Sequence, residues 1–396
     1  MQLVDRKALL QIAPLWRLAF RPFFLAGTAF AALAIPLWLG VLAGLWPDWQ
    51  PAGGALAWHR HEMLFGFGVA IIAGFLLTAA QTWTGRQGVS GRPLTALALL
   101  WLAARLAWLL DAPLWLLIPL EIAFLPAVAV LLGRMLLPVR QVRNYPIVGV
   151  LILLTLADLL VVAGLMHSND AWQRQGVIAA LWLVAAMMGL IGGRVIPFFT
   201  QRGLGLPAQV PAVPWLERLA LGGLVTVALL SAAGLALRPQ PWLAGVFAAV
   251  ALLHGVRLAR WHDRRLWRVP LLWSLHLAYA WLVLALVGQA LWHAGLLSNP
   301  SLALHALAVG GVGGLILAMV ARVSLGHTGR PLQPPQAMAW AFALLNLGAV
   351  ARVLLPPLLP LGALLMSGIA WTLAFALFVW HYAPMLCRPR LDGQPG

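Results

Sequence analysis

The chain has 396 residues, of which 62% are hydrophobic and only 9% are charged. Its mean hydropathy of +0.91 lies far outside the range of soluble globular proteins, so the sequence excludes a soluble enzyme and predicts a protein embedded in a lipid bilayer. A formal net charge of +16 is also typical of nucleic-acid binding, but here the basic residues are separated into particular loops.

Apolar stretches long enough to cross a bilayer follow one another along the whole chain. A spanning helix needs about 17 to 25 residues, and the stretches are continuous, unlike the alternating strands of an outer-membrane barrel. We therefore predict an all-α fold, one polytopic helical membrane domain over residues 1–396 with short cytoplasmic tails at 1–20 and 385–396. The twelve predicted spans are 23–46, 59–82, 93–110, 114–137, 145–166, 176–199, 215–237, 242–258, 269–293, 300–323, 337–353 and 361–382.

The basic residues alternate between the loops in register with these spans. Of the 26 lysines and arginines, 21 fall in the tails and loops of one side or at the adjoining span ends, four fall likewise on the other side, and Arg105 lies deep inside a span. Because cytoplasmic loops carry the basic excess, both termini are expected in the cytoplasm and no nucleic-acid partner is expected. The N-terminal apolar run is too long for a cleaved signal peptide, so we expect it to stay attached.

Cysteine usage limits the cofactors that the chain can hold. Cys387 is the single cysteine, which excludes an internal disulfide, a cysteine-held iron–sulfur cluster and a CxxCH haem attachment. Any haem must be bound non-covalently.

Histidines are the most unusual residues of the predicted spans. His59 and His61 stand at the start of the second span, and His276 and His305 lie inside the ninth and tenth, where ionisable side chains are costly and mark functional sites. Two residues of a regular helix correspond to about 200°, so the first pair points apart unless His59 precedes the helix. In that case the pair and His305 would supply three imidazoles suited to copper. Otherwise one imidazole of the pair would serve a metal and the other a haem.

Structural roles compete with these functional ones. The His59 and His61 pair is also explained by solvation at the interface, and His276 and His305 by hydrogen bonds between helices. The remaining histidines except His327, which is intermediate, fall at predicted helix ends or in loops, where a structural role is the better interpretation. They are His167, His254, His262, His293 and His381.

Charged residues accompany the histidines and require partners. Arg105 and Asp158 have similar predicted depths, so we expect a structural ion pair between them. Glu62 and Glu121 lie in the predicted outer half, where they would carry protons to a substrate or support metal ligands. Arg194 would bind a haem propionate or mark the cytoplasmic interface.

Glycines follow the histidine of the tenth span, where GGVGG occupies 310–314. Missing side chains let a neighbouring helix or a flat macrocycle approach the backbone closely. Helix packing is the commoner reason for such a run, and the pattern leaves both interpretations open.

Five sequence blocks resemble the NnrS family: LAFRPFFL, WHRHEMLFGFGVAIIAGFLLTAAQTWTGR, GGRVIPFFT, LHLAYAWL and HALAVGGVGGLILAMVARVSLGHTGRPL. The resemblance implies a twelve-span protein of the bacterial inner membrane that carries haem b and copper and acts in nitric oxide metabolism and resistance to nitrosative stress. The family's histidines match His59, His61, His276, His305 and His327.

The resemblance and the residues together suggest a division of roles and three functions. We expect His276, His327 and Arg194 to hold haem, and His59, His61 and His305 to hold the metal. In the first function the two centres bind and reduce nitric oxide, with Glu62 and Glu121 as proton carriers and an unknown electron donor. In the second the protein binds nitric oxide without turnover, as a sensor or buffer. In the third the histidines line the path of a metal or small-solute transporter.

Overall fold

A computed structural model describes residues 6–395, which form helices and connecting loops without a β-strand. Residues 1–5 and 396 of the predicted tails lie outside this description. Twelve helices within it are long and apolar enough to cross a membrane, which confirms the predicted helical membrane fold. They are α1 (Phe20–Leu42), α2 (Ala55–Thr84), α3 (Arg92–Leu109), α4 (Leu114–Leu136), α5 (Tyr145–Met166), α6 (Asp170–Leu204), α7 (Pro214–Ala232), α8 (Pro241–Trp261), α9 (Pro270–His293), α10 (Pro300–His327), α11 (Gln336–Leu354) and α12 (Pro360–Cys387).

Large apolar side chains project outward from several of these helices. Trp115, Leu252 and Trp380 are 75%, 68% and 78% exposed. Surfaces of this kind are stable only when hydrocarbon covers them, because water would make their exposure costly. The exposed residues therefore support the same membrane assignment as the hydropathy.

Several helices begin or end up to about six residues from their predicted bounds, and in α1 and α6 the difference changes the interpretation. α1 begins three residues early, so Arg21 lies within the helix and is fully buried instead of preceding the span. Its guanidinium donates to the carbonyls of Leu386 and Arg388, each at 2.8 Å. α6 has 35 residues, because its polar first turns continue the helix, whereas a hydropathy pattern detects only the apolar part.

α2 and α10 share an unusual internal architecture. In each, a histidine ends an α-helical segment, a wider π-helical segment follows, and a second α-helical segment completes the span. π segments are rare and are frequently found at functional sites. The segments are Ala55–His61, Glu62–Gly68 and Val69–Thr84 in α2, and Pro300–His305, Ala306–Gly313 and Gly314–His327 in α10.

Contacts divide the described chain into two compact units. The first lies within Met1–Gln173, Val320–Gln333 and Phe375–Gly396, and the second comprises Arg174–Met319 and Pro334–Ala374. In the first unit α2 packs against α1 and α4, and α4 also packs against α3 and α5. In the second unit α9 packs against α8, α11 and the π segment of α10. The single membrane domain expected from the sequence is not tested by this division and stays a prediction.

Candidate functional site

Five ionisable side chains meet inside the first unit and are called the His61 cluster here. α2 contributes two of them, and α3, α4 and α5 contribute one each. None is more than 4% exposed, although ionisable groups in such surroundings are costly unless they are paired. The members are His61, Glu62, Arg105, Glu121 and Asp158.

The imidazole of His61 is held at both ring nitrogens and on both ring faces. Nδ1 lies 2.9 Å from Glu62 Oε1, and Nε2 lies 3.2 Å from Asp158 Oδ1. The ring stacks against Trp108 and Phe65, with centroid separations of 4.1 and 5.0 Å. These contacts fix the position of the one imidazole in the cluster, the only group there with a nitrogen that can bind a metal, since a guanidinium has no lone pair to offer.

Arg105 joins the two glutamates of the cluster. Its Nη1 donates to Glu62 Oε1 at 2.6 Å, and its Nη2 pairs with Glu121 Oε2. Trp108 Nε1 donates to the same Glu121 oxygen at 3.0 Å. Charge-assisted hydrogen bonds of this kind are the strong ones, so the arginine holds both carboxylates in place.

The predicted ion pair between Arg105 and Asp158 is wrong. Asp158 contacts His61 instead, and the arginine turns toward α2 because Gly66 leaves room for it. A Cβ at Gly66 would meet Arg105 Nη1 at 2.7 Å and Glu62 Oε2 at 3.1 Å. Depth alone, which the sequence provides, does not determine which faces of α2, α3 and α5 meet.

Three members of the cluster have the spacing of metal ligands. One ligand atom each from His61, Glu121 and Asp158 lie within 4.8 Å of one another. A histidine that binds a metal is neutral, so the three carboxylates would then exceed the charge of Arg105 by two. A divalent cation would balance that excess.

This donor set does not fit the predicted copper site. The sequence suggested three imidazoles for copper, whereas the His61 cluster offers one imidazole and otherwise carboxylate oxygen, which suits harder cations.

His59 lies in different surroundings from His61. The α-helical segment begins at Ala55, four residues before His59, so both histidines are helical and point to different sides. The His59 ring stacks on Trp38 with a centroid separation of 4.6 Å and an interplanar angle of 10°. The condition for one ion shared by the pair is therefore not met, and the alternative of separate roles remains.

His305, in the second unit, has one ring nitrogen prepared for a ligand. Nδ1 lies 2.7 Å from the carbonyl oxygen of Ser301, so Nδ1 carries the proton and Nε2 carries the lone pair. Nε2 accepts a hydrogen bond from Arg352 Nη2 at 3.3 Å, which a ligand at Nε2 would replace. A backbone hydrogen bond to Nδ1 commonly supports a histidine that binds a metal or a haem through Nε2.

The two histidines predicted to hold haem are less clearly prepared. His276 Nδ1 lies 3.0 Å from the carbonyl of Leu272, and Nε2 lies 3.4 Å from the carbonyl of Trp261, so a carbonyl already faces each nitrogen. His327, in the first unit, packs against Phe20 with a centroid separation of 5.5 Å. Their roles as haem ligands stay predictions.

The glycine run of α10 accommodates indole rings. A Cβ at Gly310 would meet Trp281 Cδ1 at 2.7 Å, and a Cβ at Gly313 would meet Trp371 Cη2 at 3.0 Å. Of the two interpretations of GGVGG, side-chain and helix packing therefore fits, and a macrocycle against these glycines does not.

Arg194 is half-buried in α6, and its role toward a haem propionate stays a prediction.

A second buried polar network, in the second unit, was missed by the sequence prediction. His254, placed at a helix end by the sequence, lies inside α8 and is fully buried, with Nδ1 2.6 Å from the Tyr279 hydroxyl and Nε2 3.1 Å from the carbonyl of Ala220. Arg257 donates to that hydroxyl and to Glu217 Oε2. His254 and Arg257 are three residues apart, a spacing that puts both on one helix face, and this spacing could have indicated the network from the sequence.

Comparison with family models identifies the family of the chain. No curated protein matches the chain. The family model described as NnrS protein matches residues 14–390, nearly the whole chain. The chain therefore belongs to the NnrS family.

Proposed function

We propose that the protein acts in the nitric oxide response of a bacterial inner membrane and binds nitric oxide with the help of haem b and a metal ion. The NnrS family is linked to the nitric oxide response. The observation that carries the proposal for this chain is the His61 cluster, five ionisable side chains assembled inside an apolar unit. Such groups are rare in membrane proteins and usually mark the path of ions, protons or ligands.

The chain offers His305 as its best-prepared ligand for a haem iron or a metal. When bound, haem b supplies an iron that binds diatomic molecules such as nitric oxide. Ser301 fixes the tautomer of His305, and the Nε2 lone pair accepts a hydrogen bond from Arg352, which would have to move aside for Nε2 to bind an iron or a metal. This assignment uses one imidazole of the second unit and leaves His276 and His327 as further candidates.

Glu62 is the better of the two proposed proton carriers. Its Oε1 is shared by His61 and Arg105, whereas its Oε2 is buried without a hydrogen-bond partner among residues 6–395. An oxygen of this kind can take up and release a proton without breaking the contacts that position the side chain. Both oxygens of Glu121, by contrast, face other members of the cluster.

Nitric oxide consumption by the purified protein tests the proposal. Reduced full-length protein in detergent would be mixed anaerobically with nitric oxide and followed with an electrode and by its optical spectrum. We expect a spectral shift on binding, followed by loss of nitric oxide that depends on added reductant. Binding without loss would contradict reduction and favour a sensor or buffer, and a colourless protein without metal would contradict the whole proposal.

A matched pair of variants assigns the ligand. His305→Ala should lose most of the haem absorbance and its shift with nitric oxide, whereas His381→Ala, at a partly exposed position of α12, should keep both. Equal haem spectra and equal metal content in the two variants would remove His305 from the proposal.

A further inference from the structure

We propose that the His61 cluster is a binding site for an oxygen-preferring divalent cation, Mn²⁺ or Fe²⁺, which reaches it through a cavity at the ends of α2, α4 and α5. In assigning a metal to the cluster the inference rests on the proposed function and deepens it, but its test does not involve nitric oxide.

The donor atoms select the class of cation. His61, Glu121 and Asp158 bring one imidazole and two carboxylates within 4.8 Å of one another. Carboxylates suit Mn²⁺ and related hard cations, and imidazole is also a ligand of iron. Copper(I), which prefers soft sulfur and imidazole ligands, is poorly matched by this set.

An unpartnered oxygen in the cluster independently points to a cation. Glu62 is fully buried, and its Oε2 has no hydrogen-bond partner within the described chain. A buried carboxylate oxygen without a partner is costly. A cation close to the cluster would remove this cost together with the excess negative charge of its carboxylates.

A cavity of about 580 Å³ in the first unit lies about one to two helical turns from the cluster, on the same helices. Each of the helices that carry a ligand also lines this cavity, at a position four or seven residues from the ligand. Such spacings return to the same helix face, about 6 to 10 Å further along the axis. The pairs are Ala57 with His61 on α2, Leu114 with Glu121 on α4, and Leu165 with Asp158 on α5.

The residues that line the cavity include the ion pair of Arg60 and Asp170. Arg60 Nη1 lies 2.8 Å from Asp170 Oδ1, and their side chains are 28% and 66% exposed. Among the described lining residues Asp170 is the acidic one and Arg60 the basic one. Arg60 is the sequence neighbour of His61, and its charge both neutralises Asp170 and opposes an approaching cation. We expect this pair to slow the access of the ion.

Mn²⁺ binding to the metal-free protein tests the site. Full-length protein in detergent would be stripped with a chelator and titrated with Mn²⁺, with free ion measured by electron paramagnetic resonance. The wild type should bind one Mn²⁺ per chain, and Asp158→Asn should bind it at least about 100-fold more weakly, since even residues behind the ligands change affinity by about 10 to 100-fold. Asp263→Asn, at a carboxylate in the loop between α8 and α9 that pairs with Arg265, is the matched control and should bind as the wild type does.

Three results would overturn the site. They are absence of stoichiometric Mn²⁺ binding by the wild type, equal binding by Asp158→Asn, and stoichiometric copper(I) binding that Asp158→Asn abolishes in a protein that ignores Mn²⁺.

Thermal unfolding separates a metal site from a purely structural cluster. If the carboxylates serve a cation, the metal-free Asp158→Asn protein carries less uncompensated charge and should unfold no lower than the metal-free wild type. Mn²⁺ should raise the unfolding temperature of the wild type alone, because only a state that binds the ion is stabilised by it. A lower unfolding temperature for Asp158→Asn, with no effect of Mn²⁺ on the wild type, would show a structural cluster.

The access path is tested by the rate of binding. Arg60→Gln should accelerate Mn²⁺ association severalfold in stopped-flow measurements and leave the equilibrium affinity within twofold, because charges at the rim of a site act mainly on association. An unchanged rate would exclude this path. If the protein binds Mn²⁺ but ignores nitric oxide, the proposed function fails and this inference stands.

Discussion

Gly66 is the residue on which the close approach of α2 and α3 depends. Its missing side chain leaves room for Arg105 and Glu62, and its carbonyl accepts a hydrogen bond from Trp101 Nε1 at 2.8 Å. The sequence identified the costly residues of the cluster, because charge in an apolar span is conspicuous. It did not identify their partners, because pairing depends on helix rotation and on a gap at a single glycine, neither of which the residue pattern encodes.

Replacement of Gly66 tests this dependence. Gly66→Ala should lower the free energy of unfolding by about 1–3 kcal/mol, the usual cost of overpacking, and should loosen the cluster. Gly149→Ala is the control, since a Cβ at this exposed position of α5 meets nothing within 4 Å and should stabilise the helix by about 0.5–1 kcal/mol. Denaturation in mixed micelles measures both, and equal effects would show that Gly66 has no special role.

Arg105 pairs with two buried carboxylates, those of Glu62 and Glu121, and partly neutralises their charge. Arg105→Gln should cost about 3–5 kcal/mol of unfolding free energy, because it leaves buried charge unpaired. Adding Glu62→Gln and Glu121→Gln to the variant should restore much of this loss. If the triple variant is no more stable than Arg105→Gln, charge compensation does not explain the loss. The packing of the arginine side chain would then be the cause.

At the level of helices, the positions of the spans were predictable and their internal geometry was not. Hydropathy and length locate twelve spans because hydrocarbon imposes both. The π segments after His61 and His305 produce no recognisable repeat of apolar residues in the sequence, and the glycines within them permit a π-helix without requiring one.

The polar network of α7, α8 and α9 was missed for a related reason. His254 was assigned to a helix end from its position in the chain, and only the structure brings Tyr279 to it.

Tyr279 holds this network together, and its hydroxyl can be removed alone. Tyr279→Phe should destabilise the protein by about 1–3 kcal/mol, because His254 Nδ1 and a guanidinium hydrogen of Arg257 lose a buried partner. Tyr145→Phe, at a partly exposed position of α5, should have little effect. A thermal unfolding series would contradict the network if the two variants behaved alike.

At the scale of the whole molecule, the loop charges predict how the protein is oriented in the membrane. The alternation of basic residues between loops predicts that both ends of the chain lie on the cytoplasmic side. The cluster and its cavity would then lie toward the opposite face, since α2 starts from that face in the predicted topology. Cofactor identity is least accessible from the residues, because imidazoles serve haem, copper and structural roles alike.

The single cysteine makes the orientation measurable. Cys387 is exposed at the end of α12, so a membrane-impermeant maleimide should label it in inverted vesicles and not in intact cells whose outer membrane has been made permeable. Cys387→Ser combined with Asp48→Cys, in the predicted outer loop after α1, should give the opposite pattern. Labelling of Cys387 from outside would reverse the topology.

The reduced-minus-oxidised optical spectrum of the purified protein, recorded with its metal content and repeated after anaerobic addition of nitric oxide, tests the central claim most directly. The account predicts a b-type haem spectrum, a bound metal ion, and a spectral shift when nitric oxide is added. A colourless protein without metal, or a haem spectrum that nitric oxide leaves unchanged, would contradict it.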